Sequence, residues 1–160
     1  MSEPTLRPAT DADLAQVADL WHAGWHDAHP GHVPDGLTTG RTLASFHQRA
    51  AGRATDTTVA EEDGVVVGFA MVVDDEVEQL YVGPLARGTG LAARLLTDAE
   101  QRVAAGGYVV AWLAVVTGNS RARRFYARRG WADEGDLPYE VTAGGTTYVS
   151  PCRRYTTRVR

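Results

Sequence analysis

The stretch from Glu78 to Thr97, EQLYVGPLARGTGLAARLLT, constrains this chain more than any other. Val77 and Gln79-Leu80-Tyr81-Val82 are β-branched, aromatic or aliphatic apart from the glutamine. They read as a strand, which Gly83-Pro84 stops. Leu91, Arg94, Leu95 and Asp98 then recur at the spacing of one helix face. Between the two lies Arg87-Gly88-Thr89-Gly90-Leu91-Ala92. A strand that feeds a glycine turn and then a helix leaves backbone N–H donors unpaired at the helix start. Those donors and the helix dipole suit an anion, most often a phosphate. Gly88 and Gly90 carry no Cβ, so phosphate oxygens can reach the backbone there.

Several families build such a turn. A Walker P-loop places lysine after its second glycine, but Leu91 follows Gly90, and all 16 basic residues are arginine. A dinucleotide fingerprint can be read across Gly88, Gly90 and Ala93, yet it wants an acidic residue about 20 positions on. That region is Val109-Val110-Ala111-Trp112, apolar throughout. The remaining pattern is R-x-x-G-x-A, Arg87 to Ala92, preceded by Leu80-Tyr81-Val82 and a proline. Downstream, NSRARRFYARRGW spans 119–131 and fits N-x-x-A-x-x-F-Y-x-x-x-G followed by an aromatic. On a helix Asn119, Ala122 and Tyr126 fall on one line, and Gly130 sits where a glycine ends a helix. In this order and with one strand between them, the two patterns resemble motifs A and B of the GNAT N-acetyltransferase superfamily.

Composition agrees with a single domain over 1–160. A chain of this length buries about 70% of its unfolded surface. A net charge of −4 argues against a nucleic-acid partner. The one cysteine, Cys152, excludes an internal disulfide and a cysteine metal cluster, and reads as inert packing. No apolar run reaches membrane-spanning length and no signal peptide is seen, so the expected location is the cytoplasm, with no membrane partner.

Along the chain, Thr5-Leu6-Arg7 makes a strand, and Thr10 with Asp13 opens a helix as a capping-box variant. Leu14, Val17, Ala18, Trp21 and Trp25 form its apolar stripe. Residues 27–40, rich in His, Pro and Gly, show no period and read as a long functional connection. A second helix is expected near 42–53 and a hairpin over 57–73, turning at Asp63-Gly64. After the central strand–turn–helix come a strand over 108–115, the helix of the second motif, and a final hairpin turning at Gly144-Gly145.

The resemblance implies a mixed α/β (α+β) fold. Its central sheet is twisted, mostly antiparallel and of about seven strands, with a V-shaped splay between strands 4 and 5 and about four flanking helices. It implies acetyl-CoA as co-substrate, no metal, and an amine acceptor that is a small molecule or a peptide. Backbone groups of Leu80, Tyr81 and Val82 would meet the pantetheine arm as an added strand does. Arg87, Gly88, Thr89, Gly90, Leu91 and Ala92 would hold the pyrophosphate. Asn119 would bond the pantetheine and Phe125 pack beside it, although Asn119 equally suits a helix cap. Arg121 or Arg124 is a further candidate for the phosphates.

Tyr126 matches the general acid for the leaving sulfur. Glu78 is the candidate base, expected by strand alternation to share a face with Leu80 and Val82 unless a bulge intervenes. Trp25, His26 and His29 are candidate acceptor contacts, with Trp21 read first as core. Tyr139 and the final hairpin are the alternative acceptor wall. Glycine and proline interrupt the histidine run, so His22, His26, His29 and His32 are not read as a metal site. A non-catalytic acyl-CoA-binding sensor or docking module stays open as the alternative function, and a homodimer as a further partner.

Overall fold

The computed structural model describes residues 3–160. In chain order it comprises β1 (Thr5–Pro8), α1 (Leu14–Ala28), α2 (Asp35–Gly40), α3 (Leu43–Gly52), β2 (Thr57–Glu62), β3 (Val65–Val73) and β4 (Glu76–Val82). There follow α4 (Leu91–Ala105), β5 (Val110–Val116), α5 (Ser120–Arg128), β6 (Ala132–Ala143) and β7 (Thr146–Arg158). The strands form one seven-stranded sheet in the order β1-β2-β3-β4-β5-β7-β6. Every neighbouring pair is antiparallel except β4 and β5. No helix among the described residues is long and apolar enough to cross a membrane.

Helices α1 and α3 cover one face, where Val17, Trp21 and Phe46 pack on Val59, Phe69 and Met71. Trp21, Phe46 and Phe69 are fully buried, and each such side chain contributes roughly 1.5–3 kcal/mol. Helices α4 and α5 cover the other face, with Leu96, Ala99 and Val103 against Val77, Ala111 and Leu113. The capping box is formed: the Thr10 N–H donates to Asp13 Oδ2 at 2.7 Å. Arg7 holds the same carboxylate at 2.7 and 3.0 Å and so ties β1 to the start of α1.

Two expectations are corrected. The connection over 27–40 is not devoid of structure, because α1 continues to Ala28 and α2 occupies Asp35–Gly40, which raises the α-helices to five. Six residues with two glycines and one buried apolar anchor, Leu37, are too short to show a period. Tertiary contact holds them: a Cβ on Gly36 would lie 2.5 Å from the Tyr148 hydroxyl, and one on Gly40 2.9 Å from Ala143 Cβ.

The second correction concerns Glu78. In the β3–β4 register Met71 pairs with Gln79, but the next residue, Val72, pairs with Val77. Glu78 is therefore the extra residue of a β-bulge. Val77 and Leu80 both pack on the α4 face, whereas Tyr81 packs with α1 and α3. Glu78 joins Tyr81's side, not that of Leu80 and Val82, and reaches Arg53 beyond the end of α3.

Strands β4 and β5 touch at one pair, Glu76 with Trp112. The Trp112 N–H and indole Nε1–H donate to the Asp75 carbonyl and carboxylate, each at 3.0 Å, and pin that end. Beyond it β5 follows β7 through seven pairs, while β4 runs on to the glycine turn. The strands part as a V.

Candidate active site

Two hollows meet at the mouth of this V. The larger, about 890 Å³, is bounded by the end of β4, the glycine turn, the first residues of α4 and the start of α5. The smaller, about 160 Å³, lies between β4 and β5 and runs toward α1, α3 and the β6–β7 hairpin. Leu80, Tyr81, Asn119, Ala122 and Tyr126 line both.

The larger hollow is built from backbone. Gly88 and Gly90 have φ of +77° and +84°, and a Cβ on either would meet nothing within 4 Å. Glycine is needed there for the left-handed conformation, and the space over it is open. Helix α4 then begins at Leu91 with no side chain capping its first amides. Those amides face a cleft that also has Val82, Arg87, Ala92 and Phe125 on its wall. This geometry fits an anionic ligand such as a pyrophosphate. Thr89 does not line the cleft; its hydroxyl donates to the Ala86 carbonyl and closes the turn. Arg87 also pairs with Asp27 at 3.3 Å.

At the far wall, Asn119 Oδ1 accepts the Ala122 N–H at 3.2 Å, so this side chain caps α5. Arg121 lines the cleft and Arg124 does not. His32, which sequence patterning did not assign to this cleft, lies directly over Gly118 and leaves no room for a Cβ. Tyr126 is buried between Phe125, Trp131 and Tyr155, and burial pushes its phenol pKa well above the usual value. It stays protonated at neutral pH.

The smaller hollow is built from side chains. Trp25 and His29 lie on its wall, their rings stacked at 4.5 Å and 3°. His29 Nδ1–H donates to the Trp25 carbonyl at 2.9 Å. Burial, with Arg41 and Arg49 nearby, pushes the His29 pKa down to about 4, so the ring is neutral. His26 lines neither hollow; its Nε2–H donates to the Arg41 carbonyl at 2.7 Å. Glu78 forms a bidentate pair with Arg53 Nε and Nη2, both at 2.9 Å.

Beside Glu78, Glu76 accepts the Tyr139 hydroxyl at 3.0 Å. Burial raises the Glu76 pKa, and the neighbouring Glu78 and Asp75 add to this. Cys152 also lines the wall, and burial raises its pKa, which keeps it a thiol rather than a nucleophilic thiolate. Trp21 is core, as expected.

Arg41, Arg49, Arg53 and Glu76 are charged lining residues that sequence patterning missed. Their positions carry no local signal beyond charge. Among the described residues, no group of three or more His, Cys, Asp or Glu is placed to hold a metal ion.

Residues 17–131 match the acetyltransferase (GNAT) family. The chain belongs to that family. An uncharacterized N-acetyltransferase of Mycobacterium bovis is 31% identical over 119 residues, covering 71% of this chain and 76% of its own. A GCN5-related N-acetyltransferase from Rhodopseudomonas palustris superposes with a TM-score of 0.74 at 24% identity, covering 99% of this chain and 97% of that one. A putative acetyltransferase from Salmonella typhimurium, solved with its cofactor acetyl-CoA, gives 0.66 at 24%, covering 99% and 95%. The acetyltransferase described here is thus an acyltransferase, and its parted β4 and β5 are part of the seven-stranded sheet expected from its motifs.

Proposed function

We infer that this enzyme transfers an acetyl group from acetyl-CoA to an amine of a small molecule or peptide, by direct attack within a ternary complex. The observation that carries the reading is the meeting of the two hollows at Tyr126 and Leu80. One is a backbone-lined anion cleft and the other a side-chain-lined cavity with two carboxylates. Acetyl-CoA, when bound, supplies an activated thioester carbonyl.

The chain's own groups have distinct tasks. Amides from Gly88 to Ala92 hold the pyrophosphate, and backbone groups of Leu80 and Val82 receive the pantetheine at the edge that β4 exposes. A backbone N–H near Val82 donates to the thioester oxygen as negative charge develops there. Glu78, turned by its bulge toward the acceptor side, takes the proton of the attacking amine through water. Tyr126 gives its phenolic proton to the departing sulfur. Cys152, held as a thiol, is left out of the chemistry, which favours direct attack over an acyl-enzyme. Glu76 is the second reading for the base, because its burial raises its pKa toward the range in which a carboxylate works best at neutral pH.

Two measurements test the function. Acetyl-CoA at about 100 times its dissociation constant should stabilise the fold by about 2.7 kcal/mol, a rise of several degrees in Tm. Thiol release from acetyl-CoA should follow on adding a panel of amines. Stabilisation without release from any amine would instead support a non-catalytic acyl-CoA-binding module. No stabilisation by millimolar CoA would overturn both.

A further inference from the structure

Among the described residues, two arginines in the acceptor cavity have no carboxylate partner. Arg41 and Arg49 line both the smaller hollow and an adjoining one of about 380 Å³. Arg41 is only 6% exposed. Its Nη1 donates to the Thr142 carbonyl at 3.1 Å, and its own carbonyl accepts from His26, so the residue is anchored at both ends. Its Nε is buried with no hydrogen-bond partner. Arg49 sits over Trp21, its guanidinium carbon 4.2 Å from the ring centroid, and its Nη1 is likewise buried without a partner.

The other charges facing the site are accounted for. Arg53 is paired with Glu78, Glu76 is held by Tyr139, and His29 is neutral. Two guanidiniums are thus left on one cavity wall, and burial lowers both from the usual arginine value. Burial and the neighbouring Arg41 bring Arg49 down to about 10.

A buried guanidinium with an idle N–H is unfavourable unless a ligand completes it. What two immobilised forks complete best is a planar carboxylate, which accepts two N–H donors at once. At the Glu76 and Glu78 end, the same cavity presents carboxylates that suit an ammonium. The cavity therefore brings the β4 carboxylates and the two arginines, one after α2 and one on α3, to a single site.

We propose that the acceptor is a free amino acid, whose α-carboxylate is received by Arg41 and Arg49 while its amine faces the thioester. This rests on the acetyltransferase reading above and specifies its substrate class. A peptide N-terminus presents a neutral amide in place of that carboxylate, and it leaves both forks unpaired.

The test measures thiol release from acetyl-CoA with the standard free amino acids, their α-amides and the matching decarboxylated amines. At least one amino acid should exceed its amide in kcat/KM by about tenfold or more, the range for a charge-assisted hydrogen bond. Arg49→Met should raise the KM of that acid by about tenfold without moving the KM of its amide or of acetyl-CoA. Arg49→Lys keeps the charge and should fold if the methionine variant does not; it should recover part of the preference. A merely structural Arg49 would not change the acid-to-amide ratio. Amides or plain amines acetylated as well as the acids would overturn the substrate class and leave the acetyltransferase reading standing. If none of the three forms is acetylated but another amine of the wider panel is, the substrate class falls alone; if no amine is acetylated while CoA still stabilises the fold, the acetyltransferase reading falls with it.

Discussion

The two halves of the site are made of different material. The cofactor side is mostly backbone, drawn from the contiguous turn after β4 and the start of α5, and its decisive residues are glycines with positive φ. The side proposed for the acceptor is side chains, brought from α1, the link between α2 and α3, α3, β4, β6 and β7. A backbone cradle tolerates almost no change at a few positions. A side-chain cavity can change its ligand without disturbing the fold that holds it. The difference teaches that the reaction type is written locally, and the acceptor is written across the whole chain.

Breaking the cradle should have the largest effect. Gly90→Val forces a β-branched residue to a φ of +84° and puts methyl groups where the phosphates would lie. No neighbour is crowded, so the protein should still fold, while stabilisation by acetyl-CoA disappears in a thermal-shift measurement. A retained shift would mean that the cleft does not depend on this backbone.

At the junction of the halves the expected losses are smaller. Tyr126→Phe should lower kcat by about 10²-fold and leave stabilisation by acetyl-CoA intact; wild-type turnover would reduce Tyr126 to packing. Glu78→Gln should also lower kcat about 10²-fold near neutral pH. Activity should partly return at higher pH, where more of the amine arrives unprotonated. Profiles from about pH 6 to 10 cover the relevant titrations. If Glu76→Gln removes the acid limb and Glu78→Gln does not, the base is Glu76.

On the acceptor side proper, His29→Ala should raise the acceptor KM several-fold and leave CoA binding unchanged. His26→Ala should do so only indirectly, by freeing the Arg41 carbonyl. Unaltered acceptor kinetics in both would move the recognition surface to Tyr139 and the β6–β7 hairpin.

A further expected effect is on stability rather than turnover. His29 has a pKa of about 4 in the folded protein, against about 6.5 when unfolded. Between these values the unfolded chain binds more protons, so stability present above pH 6.5 is lost as pH falls toward 4. The loss is at most about 3 kcal/mol. Tm measured across that window should fall, and His29→Ala should flatten part of the slope.

The central strand–turn–helix, the helix of the second motif, the capping box at Thr10 and Asp13, and the hairpins were legible from residues alone. Each is governed by neighbours within a few positions, where glycine, proline and apolar period act directly. The glycine turn beside the larger hollow was legible for the same reason, since Gly88 and Gly90 shape it through their own backbone.

The helix over Asp35–Gly40 was not legible, because its two glycines oppose helix formation and the burial of Leu37 and close contact with Tyr148 and Ala143 hold it. Nor was the side on which Glu78 stands. Strand alternation puts it with Leu80, and a one-residue mismatch between β3 and β4 turns it to the acceptor side. Arg41 and Arg49 are the furthest case. In the sequence they are two of 16 arginines. What sets them apart is a buried, unpaired N–H on a residue that lines the smaller hollow, and that is decided by every element packed around them, including a hairpin carbonyl 101 residues from Arg41. Local rules set the chain's elements and its chemistry, and long-range packing decided which charges were left for a substrate to meet.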